Sequence, residues 1–132
     1  MDVCRAKDSD SGFLEAATGS SDKTVKLWAM RYGSDPLNCV ATLSGHRDYV
    51  TCVSFHPKET WLLASASGDR TVRIWDLDTL KCVGVLMSHK ALCLCVAWSK
   101  DGKFLASGGA DKHVKRLRWW RTRSVLVKPF LH

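Results

Sequence analysis

The chain consists of short apolar runs that alternate with polar turns. Residues 50–55 and 61–67 are two such runs, and the segment 56–60 between them is polar and contains a proline. Runs of the same kind follow at 71–77 and 82–87. Runs of about six residues separated by turns of about four predict antiparallel strands joined as a meander.

These runs are apolar on both faces, and no helical period stands out anywhere in the chain. A sheet made of such strands must be covered on both sides. Small sheets that stack radially against their neighbours meet this requirement. The pattern therefore predicts an all-β fold.

One segment recurs three times along the chain. Its copies place Asp22, Asp69 and Asp111 at separations of 47 and 42 residues, a period typical of repeat architectures. The aligned segments are 17–28, 64–75 and 106–115, and two of them are preceded by the matching segments 43–55 and 86–98.

The order of residues within the repeat resembles that of the WD40 repeat family. Gly45-His46 is followed, about twenty residues later, by Ser65, then by Asp69 and by Trp75-Asp76. The resemblance covers residues 13–115. It implies a partial WD40 β-propeller of about two and a half to three four-stranded antiparallel blades, not closed as a single chain.

The repeat pattern divides the chain into five parts. We expect an irregular N-terminal lead at 1–12, a partial repeat at 13–36, a complete repeat at 37–80 and an incomplete repeat at 81–115. A basic and aromatic C-terminal tail, 116–132, departs from the repeat.

The resemblance also implies a structural hydrogen-bond network. An indole donates, a hydroxyl accepts and donates, an imidazole does both and a carboxylate accepts. In the complete repeat the network would run through Trp75, Ser65, His46 and Asp69. Its counterparts are Thr18, Asp22 and Trp28 in the first repeat, and His89, Ser107 and Asp111 in the third, where Leu117 replaces the tryptophan.

Ser65, His46 and Asp69 are also the residue types of a hydrolytic triad. They recur in each repeat, whereas a catalytic site is usually singular. Ser65 lies within a predicted strand, and not on the strained turn that exposes a nucleophilic serine. We therefore predict no enzymatic activity and no cofactor.

Composition narrows the class of protein further. The chain is 45% hydrophobic and 25% charged, with a net charge of +7 that is concentrated between residues 112 and 128. It has no apolar stretch long enough to span a membrane, and its start lacks the apolar core of a secretory signal. We expect an intracellular protein, cytoplasmic or nuclear.

The six cysteines follow the repeat. Cys39 and Cys82 lie 43 residues apart, as do Cys52 and Cys95, so they are expected to be free and mostly buried thiols. His89, Cys93 and Cys95 could be offered as metal ligands, with the two cysteines facing one side of a strand. Zinc sites usually have a matching second pair, and none is present, so we predict no metal.

The tail offers an alternative function. Its arginines interleave with tryptophans, a combination that suits single-stranded nucleic acid. The other interpretation is a basic, solvated end. The residues concerned are Arg116, Arg118, Trp119, Trp120, Arg121 and Arg123.

WD40 propellers bind partners mostly through the loops before the first strand and between the second and third strands. The resemblance carries this role to Arg47, Asp48, Tyr49, Thr51, Leu92 and Leu94, with Ala17, Ser21, Ala64, Gly68, Lys90, Ala106 and Ala110 beside them. Tyr49 is the best single anchor, since aromatic residues dominate hot spots. It could equally pack on a neighbouring blade.

We therefore predict a protein–protein interaction scaffold, and the alternative is a nucleic-acid-associated protein that uses the basic tail. Because a closed ring needs more blades, three explanations stay open at this point. Copies of the chain could associate to complete a ring, a partner could supply the missing blades, or the chain could be a fragment of a longer product, which we favour.

Overall fold

A computed structural model describes residues 3–8, 13–31, 38–87, 89–119 and 130–131. All regular secondary structure in these ranges is β-strand, which confirms the predicted all-β class. The strands are β1 (Val3–Asp8), β2 (Phe13–Gly19), β3 (Val25–Arg31), β4 (Asn38–Leu43), β5 (Val50–Phe55), β6 (Leu62–Ser67), β7 (Thr71–Asp76), β8 (Lys81–Met87), β9 (Cys93–Trp98), β10 (Phe104–Gly109), β11 (Val114–Arg118) and β12 (Phe130–Leu131).

The strands form three antiparallel four-stranded sheets, each in simple chain order. The first sheet is β1–β4, the second β5–β8 and the third β9–β12. This confirms the partial propeller of about three blades. The predicted runs coincide closely with β5, β6, β7 and β8.

The sequence repeat and the sheet are offset from one another. The repeat 37–80 supplies β4 to the first sheet and β5, β6 and β7 to the second. Each repeat therefore links two neighbouring sheets through the covalent chain.

One expectation about the start of the repeat region needs correction. Residues Val3–Asp8, expected to belong to an irregular lead, form a strand that pairs with β2 from Val3↔Gly19 to Asp8↔Leu14. Strand pairing uses backbone groups, so the charged side chains of this segment did not reveal it.

At the other end of the repeat region, the strand continues past residue 115, where the predicted departure from the repeat begins. β11 continues to Arg118, with Leu117 paired to Leu105, and β12 pairs Leu131 with Leu117. Arg116 and Arg118 are exposed on either side of the buried Leu117, so the two-residue alternation persists with arginine in the outer positions.

Two apolar cores lie between the sheets. The first joins the first and second sheets, and the second joins the second and third. The first core contains Ala17, Val25, Leu27, Leu43, Val50, Val53, Leu63 and Trp75. The second contains Trp61, Leu62, Ala64, Ala66, Val72, Ile74, Cys93, Val96, Leu105, Leu117 and Trp119.

The second sheet is thus buried on both faces, as its apolar runs required. In β6 the neighbours Leu63 and Ala64 face opposite cores, and both are fully buried. The strand reads as all apolar or small because neither of its faces meets water.

Close approach between the first and second sheets depends on a glycine. A Cβ atom at Gly19 would lie 2.6 Å from Cγ1 of Val50 and 3.1 Å from its carbonyl oxygen. Gly84, in β8, has room for one, because the nearest atom to its Cβ position is Cγ1 of Ile74 at 3.7 Å.

We predict that Gly19→Ala lowers the free energy of unfolding by about 1–3 kcal/mol, because the two sheets must separate to admit the methyl group. Gly84→Ala is the matched control and should be neutral or stabilising by up to about 1 kcal/mol. Urea unfolding followed by circular dichroism measures both. Equal effects of the two variants would contradict the packing described.

Candidate functional site

The second sheet contains a continuous chain of side-chain hydrogen bonds. The indole Nε1 of Trp75 donates to Oγ of Ser65 at 2.8 Å. Ser65 Oγ lies 2.7 Å from Nε2 of His46, whose Nδ1 lies 3.0 Å from Oδ2 of Asp69. The structure thus joins the four residues that the resemblance put into one network.

The chemistry of these groups fixes the direction of the chain. The indole can only donate and the carboxylate can only accept, so Ser65 donates to Nε2 of His46, and Nδ1–H donates to Asp69. A neutral His46 satisfies every bond. A second proton on the imidazole would require Ser65 to accept from both sides and leave its own O–H without this acceptor.

Burial lowers the pKa of His46 from its ordinary value of 6.5, although the Asp69 carboxylate works in the opposite direction. Burial would raise the pKa of Asp69. Hydrogen bonds from the Thr71 hydroxyl, the Arg47 amide and His46 outweigh that effect and hold the pKa well below its usual range.

The other two sheets contain partial versions. In the first, Nε1 of Trp28 donates to Oγ1 of Thr18 at 2.9 Å. Asp22 accepts from the amide of Thr24 at 3.0 Å and from its hydroxyl, which lowers the Asp22 pKa. Among the described residues, no histidine joins the network of the first sheet.

In the third sheet, Nε2 of His89 lies 2.9 Å from Oγ of Ser107 and Nδ1 lies 3.0 Å from the Asp111 carboxylate. Burial would raise the pKa of Asp111, but hydrogen bonds from the Lys90 amide and from His89 outweigh it and lower the pKa to about 2. Leu117 takes the place of tryptophan and is itself buried.

The replacement of Trp75 by Leu117 between the second and third repeats is accompanied by a second difference, at the residue before the histidine. A Cβ at Gly45 would lie 3.0 Å from Nη1 of Arg73 and 3.3 Å from Cη2 of Trp75, so the arginine and the indole both crowd this position, where φ is also positive. In the third repeat the sequence places Ser88 where Gly45 stands, together with the smaller Leu117.

The network holds the fold together and is not arranged for hydrolysis. Ser65 is fully buried in the middle of β6, and its oxygen accepts a hydrogen bond from Trp75. The geometry therefore gives the serine two structural bonds.

The network also organises one edge of the sheets, which we call the histidine edge. It comprises the β2–β3, β6–β7 and β10–β11 turns and the segments that precede β5 and β9, that is, residues 20–24, 68–70, 110–113, 44–49 and 89–92. Asp69 accepts from the amide of Arg47, and Asp111 from the amide of Lys90, both at 3.0 Å. Backbone and turn are thereby fixed to each other.

Most of the expected partner-binding residues lie on or beside this edge. Arg47 and Leu94 are exposed, while Asp48, Tyr49 and Leu92 are half-buried. The ring of Tyr49 lies over Gly68, where a Cβ would be 2.8 Å from its Cε1. Tyr49 thus packs on its own sheet.

Three of the expected binding residues are occupied within the fold. Thr51 donates its hydroxyl to the Cys93 carbonyl at 2.6 Å, which ties the second sheet to the third. Ala17 and Ala64 are fully buried in the two cores and cannot reach a partner. The sequence alone did not show whether the small side chains of Ala17 and Ala64, close to a loop, face the core or the solvent.

The cysteines differ from expectation in their burial. Among the described residues five cysteines are free, but only Cys93 is buried, and Cys39 and Cys95 are exposed. A bulge opposite Gly108 and Gly109 shifts the register, so Cys93 and Cys95 do not share one environment. Burial raises the pKa of the Cys93 thiol to about 12. No metal-binding cluster occurs in the part of the chain that the structure describes.

Trp119, which was predicted to stack on nucleic-acid bases as part of the tail, belongs to the core instead. This side chain is buried, and it packs edge-on against Trp98 at 6.0 Å between ring centroids, so it offers no face for stacking bases. Arg116 and Arg118 are exposed. Trp120, Arg121 and Arg123 lie outside the described residues.

The sequence did not reveal a hydrogen bond that connects the second and third sheets at their opposite edge. This edge is formed by the turns 56–61, 77–80 and 99–103. Nε2–H of His56 donates to the Gly102 carbonyl at 2.9 Å, while Nδ1 accepts from the amides of Lys58 and Glu59. Burial lowers the pKa of His56. The only sequence signal for this hydrogen bond is the His56-Pro57 pair in a predicted turn. Because the pair occurs once in the chain, the comparison of repeats could not point to it.

Three stacked antiparallel sheets, one with the complete indole–hydroxyl–imidazole–carboxylate network and two with partial versions of it, define an all-β repeat protein of the propeller class. The profile of the WD domain, G-beta repeat family matches residues 2–29, 37–76 and 80–115. The chain belongs to the WD40 repeat family.

Curated relatives include nuclear distribution proteins of fungi. The chain is 44% identical over 101 residues to nuclear distribution protein nudF of Aspergillus niger, covering 76% of this chain and 22% of that protein. It is 32% identical over 102 residues to nuclear distribution protein PAC1 of Komagataella phaffii, covering 77% and 20%. The chain therefore spans about a fifth of the length of these relatives.

The described residues contain no helix that is long and apolar enough to cross a membrane.

We predict that Ser65→Ala destabilises the protein more than Ser107→Ala. The first change leaves both Trp75 Nε1 and His46 Nε2 without their partner, and the second leaves only His89 Nε2. Each buried orphan costs about 1–3 kcal/mol. Urea unfolding of both variants measures the difference, and an equal or larger loss in Ser107→Ala would contradict the network.

We predict that stability falls as the pH drops below 6.5. The unfolded chain then takes up protons on histidines whose pKa the fold lowers, namely His46 and His56. A further loss follows below pH 3.8, as the unfolded chain protonates carboxylates whose pKa the fold lowers, Asp69 and Asp111 among them. Unfolding in urea from pH 8 to 3 measures the profile. A stability that rises between pH 6.5 and 5 would contradict these directions.

Proposed function

We propose that this chain is a protein–protein interaction scaffold and that the histidine edge is its binding surface. The observation that carries the proposal is the fixed geometry of that edge. The amide of Arg47 donates to Asp69, the last residue of the buried network, and the side chain of Arg47 remains exposed on the edge. A pre-organised loop loses little conformational entropy when it binds.

The composition of the edge suits a protein partner. Leu94, in β9 beside the edge, is an exposed large apolar side chain at 48% relative exposure, and the half-buried Leu92 and the exposed Arg47 belong to the edge itself. Apolar and arginine side chains together are typical of protein interfaces. The free thiols of the described cysteines support a location inside the cell.

The names of the relatives suggest nuclear distribution as a process in which such a scaffold acts. However, 520 curated proteins match this chain in sequence. So many matches reflect the shared repeat and do not point to one pathway. We therefore extend only the scaffold role to this chain.

Nucleic-acid association is the second candidate. Its support is the charge of the third sheet, where exposed Arg116 and Arg118 stand on β11. The burial of Trp119 weakens it, because one of the proposed stacking residues is used inside the fold.

We predict that a photo-cross-linking amino acid at Leu94 captures a protein partner in cells, and that the same amino acid at Leu80 does not. The two leucines are matched in exposure, at 48% and 46%, but Leu80 lies in the β7–β8 turn at the opposite edge. Adducts are analysed after nuclease and after protease treatment.

Adducts at Leu94 that survive nuclease and are digested by protease are expected. Adducts of equal yield at both positions, or adducts that nuclease removes, would contradict a protein-binding surface at the histidine edge.

A further inference from the structure

Five exposed basic side chains project from the histidine edge: Lys23, Arg47, Arg70, Lys90 and Lys112. Three of them, Lys23, Arg70 and Lys112, occupy the same position in the three turns, at φ angles of 76°, 74° and 65°. A left-handed conformation is uncommon for residues with a side chain. Each of the three turns nevertheless carries a cation there.

The carboxylates of the same edge accept hydrogen bonds from neighbouring side chains or backbone amides. Asp22 accepts from Thr24, and Asp48 accepts from the amide of Tyr49 at 2.7 Å. Asp69 and Asp111 are used by the histidines and by backbone amides, as described above. Within the described ranges, no carboxylate forms an ion pair with any of the five basic side chains.

The three turn cations Lys23, Arg70 and Lys112 form a row along the edge, and its spacing follows from the contact between neighbouring sheets. The amide of Val50 donates to the Ser20 carbonyl at 3.0 Å, and Thr51 reaches the Cys93 carbonyl, so neighbouring sheets are in contact at this edge. Packed sheets stand about 10 Å apart, and this is the spacing we expect between Lys23, Arg70 and Lys112. An extended polypeptide rises about 3.3 Å per residue, so every third residue would match the row.

We propose that this row of cations binds an extended acidic segment of a partner polypeptide, with carboxylates at every third residue. The inference rests on the proposed function, because it names the chemistry of the partner that the histidine edge receives. Binding occurs through ion pairs at the turns, beside apolar contacts to Leu92 and Leu94.

The charge balance favours a polypeptide over a nucleic acid. Four carboxylates, Asp22, Asp48, Asp69 and Asp111, lie among the five cations, so the edge as a whole is close to neutral. Phosphate-backbone binding depends on a strong, continuous positive field. Separate cations among fixed carboxylates and leucines match separate carboxylates on a peptide instead.

The test uses the complete chain and a fluorescein-labelled peptide with glutamate at every third position. The triple variant Lys23→Gln, Arg70→Gln, Lys112→Gln removes the row and keeps side chains of similar length at the left-handed positions. The matched control is Lys58→Gln, Lys81→Gln, Lys100→Gln, which removes the same charge from exposed lysines at the opposite edge. Circular dichroism verifies the fold of each variant.

The dissociation constant, measured by fluorescence anisotropy, should rise about tenfold in the edge variant, as expected for three exposed ion pairs, and should not change in the control. A peptide with glutamine in place of glutamate should not bind. The proposal is overturned by equal weakening in both variants, by absence of binding to the unsubstituted chain, or by displacement of the peptide by single-stranded oligo-dT at the same concentration.

The two proposals fail separately. Cross-linking at Leu94 that persists while the acidic peptide does not bind would leave the binding surface in place and reject only the acidic partner. Loss of both results would reject the surface itself.

Discussion

The constraint on which this structure depends is that its strands are apolar on both faces. In the second sheet, Leu63 and Trp75 fill the core shared with the first sheet, while Ala64 and Ile74 fill the core shared with the third. A single sheet of this composition would leave both of its apolar faces in water. The sheets must therefore stack, and every loop takes its position from that stacking.

Polar groups enter this interior only where they satisfy one another. Ser65 is fully buried, yet its hydroxyl serves both the Trp75 indole and the His46 imidazole. The chain of bonds ends on Asp69, which in turn holds the amide of Arg47. A buried structural network thereby sets the conformation of an exposed loop, and the proposed binding surface follows from the requirements of the core.

Repeat, strands and network could be predicted from sequence because each has a local signal. The burial of individual residues could not, since Thr51 and Ala64 read as loop-side positions and their roles depend on the neighbouring sheet. β1 was missed because three of its six residues are charged, so it lacks the apolar run by which the other strands were predicted. Trp119 was assigned to a basic tail because the charges around it masked a strand alternation that continues through Leu117.

The central claim is that the indole, hydroxyl and imidazole act as one unit that fixes the histidine edge. A double-mutant cycle with Trp75→Phe and Ser65→Ala tests it most directly, with unfolding free energies from urea titration. The account predicts a coupling energy of about 1 kcal/mol or more between the two changes, as expected for side chains that share a bond. Additive losses would contradict it, since they would mean that Trp75 and Ser65 stabilise the fold independently.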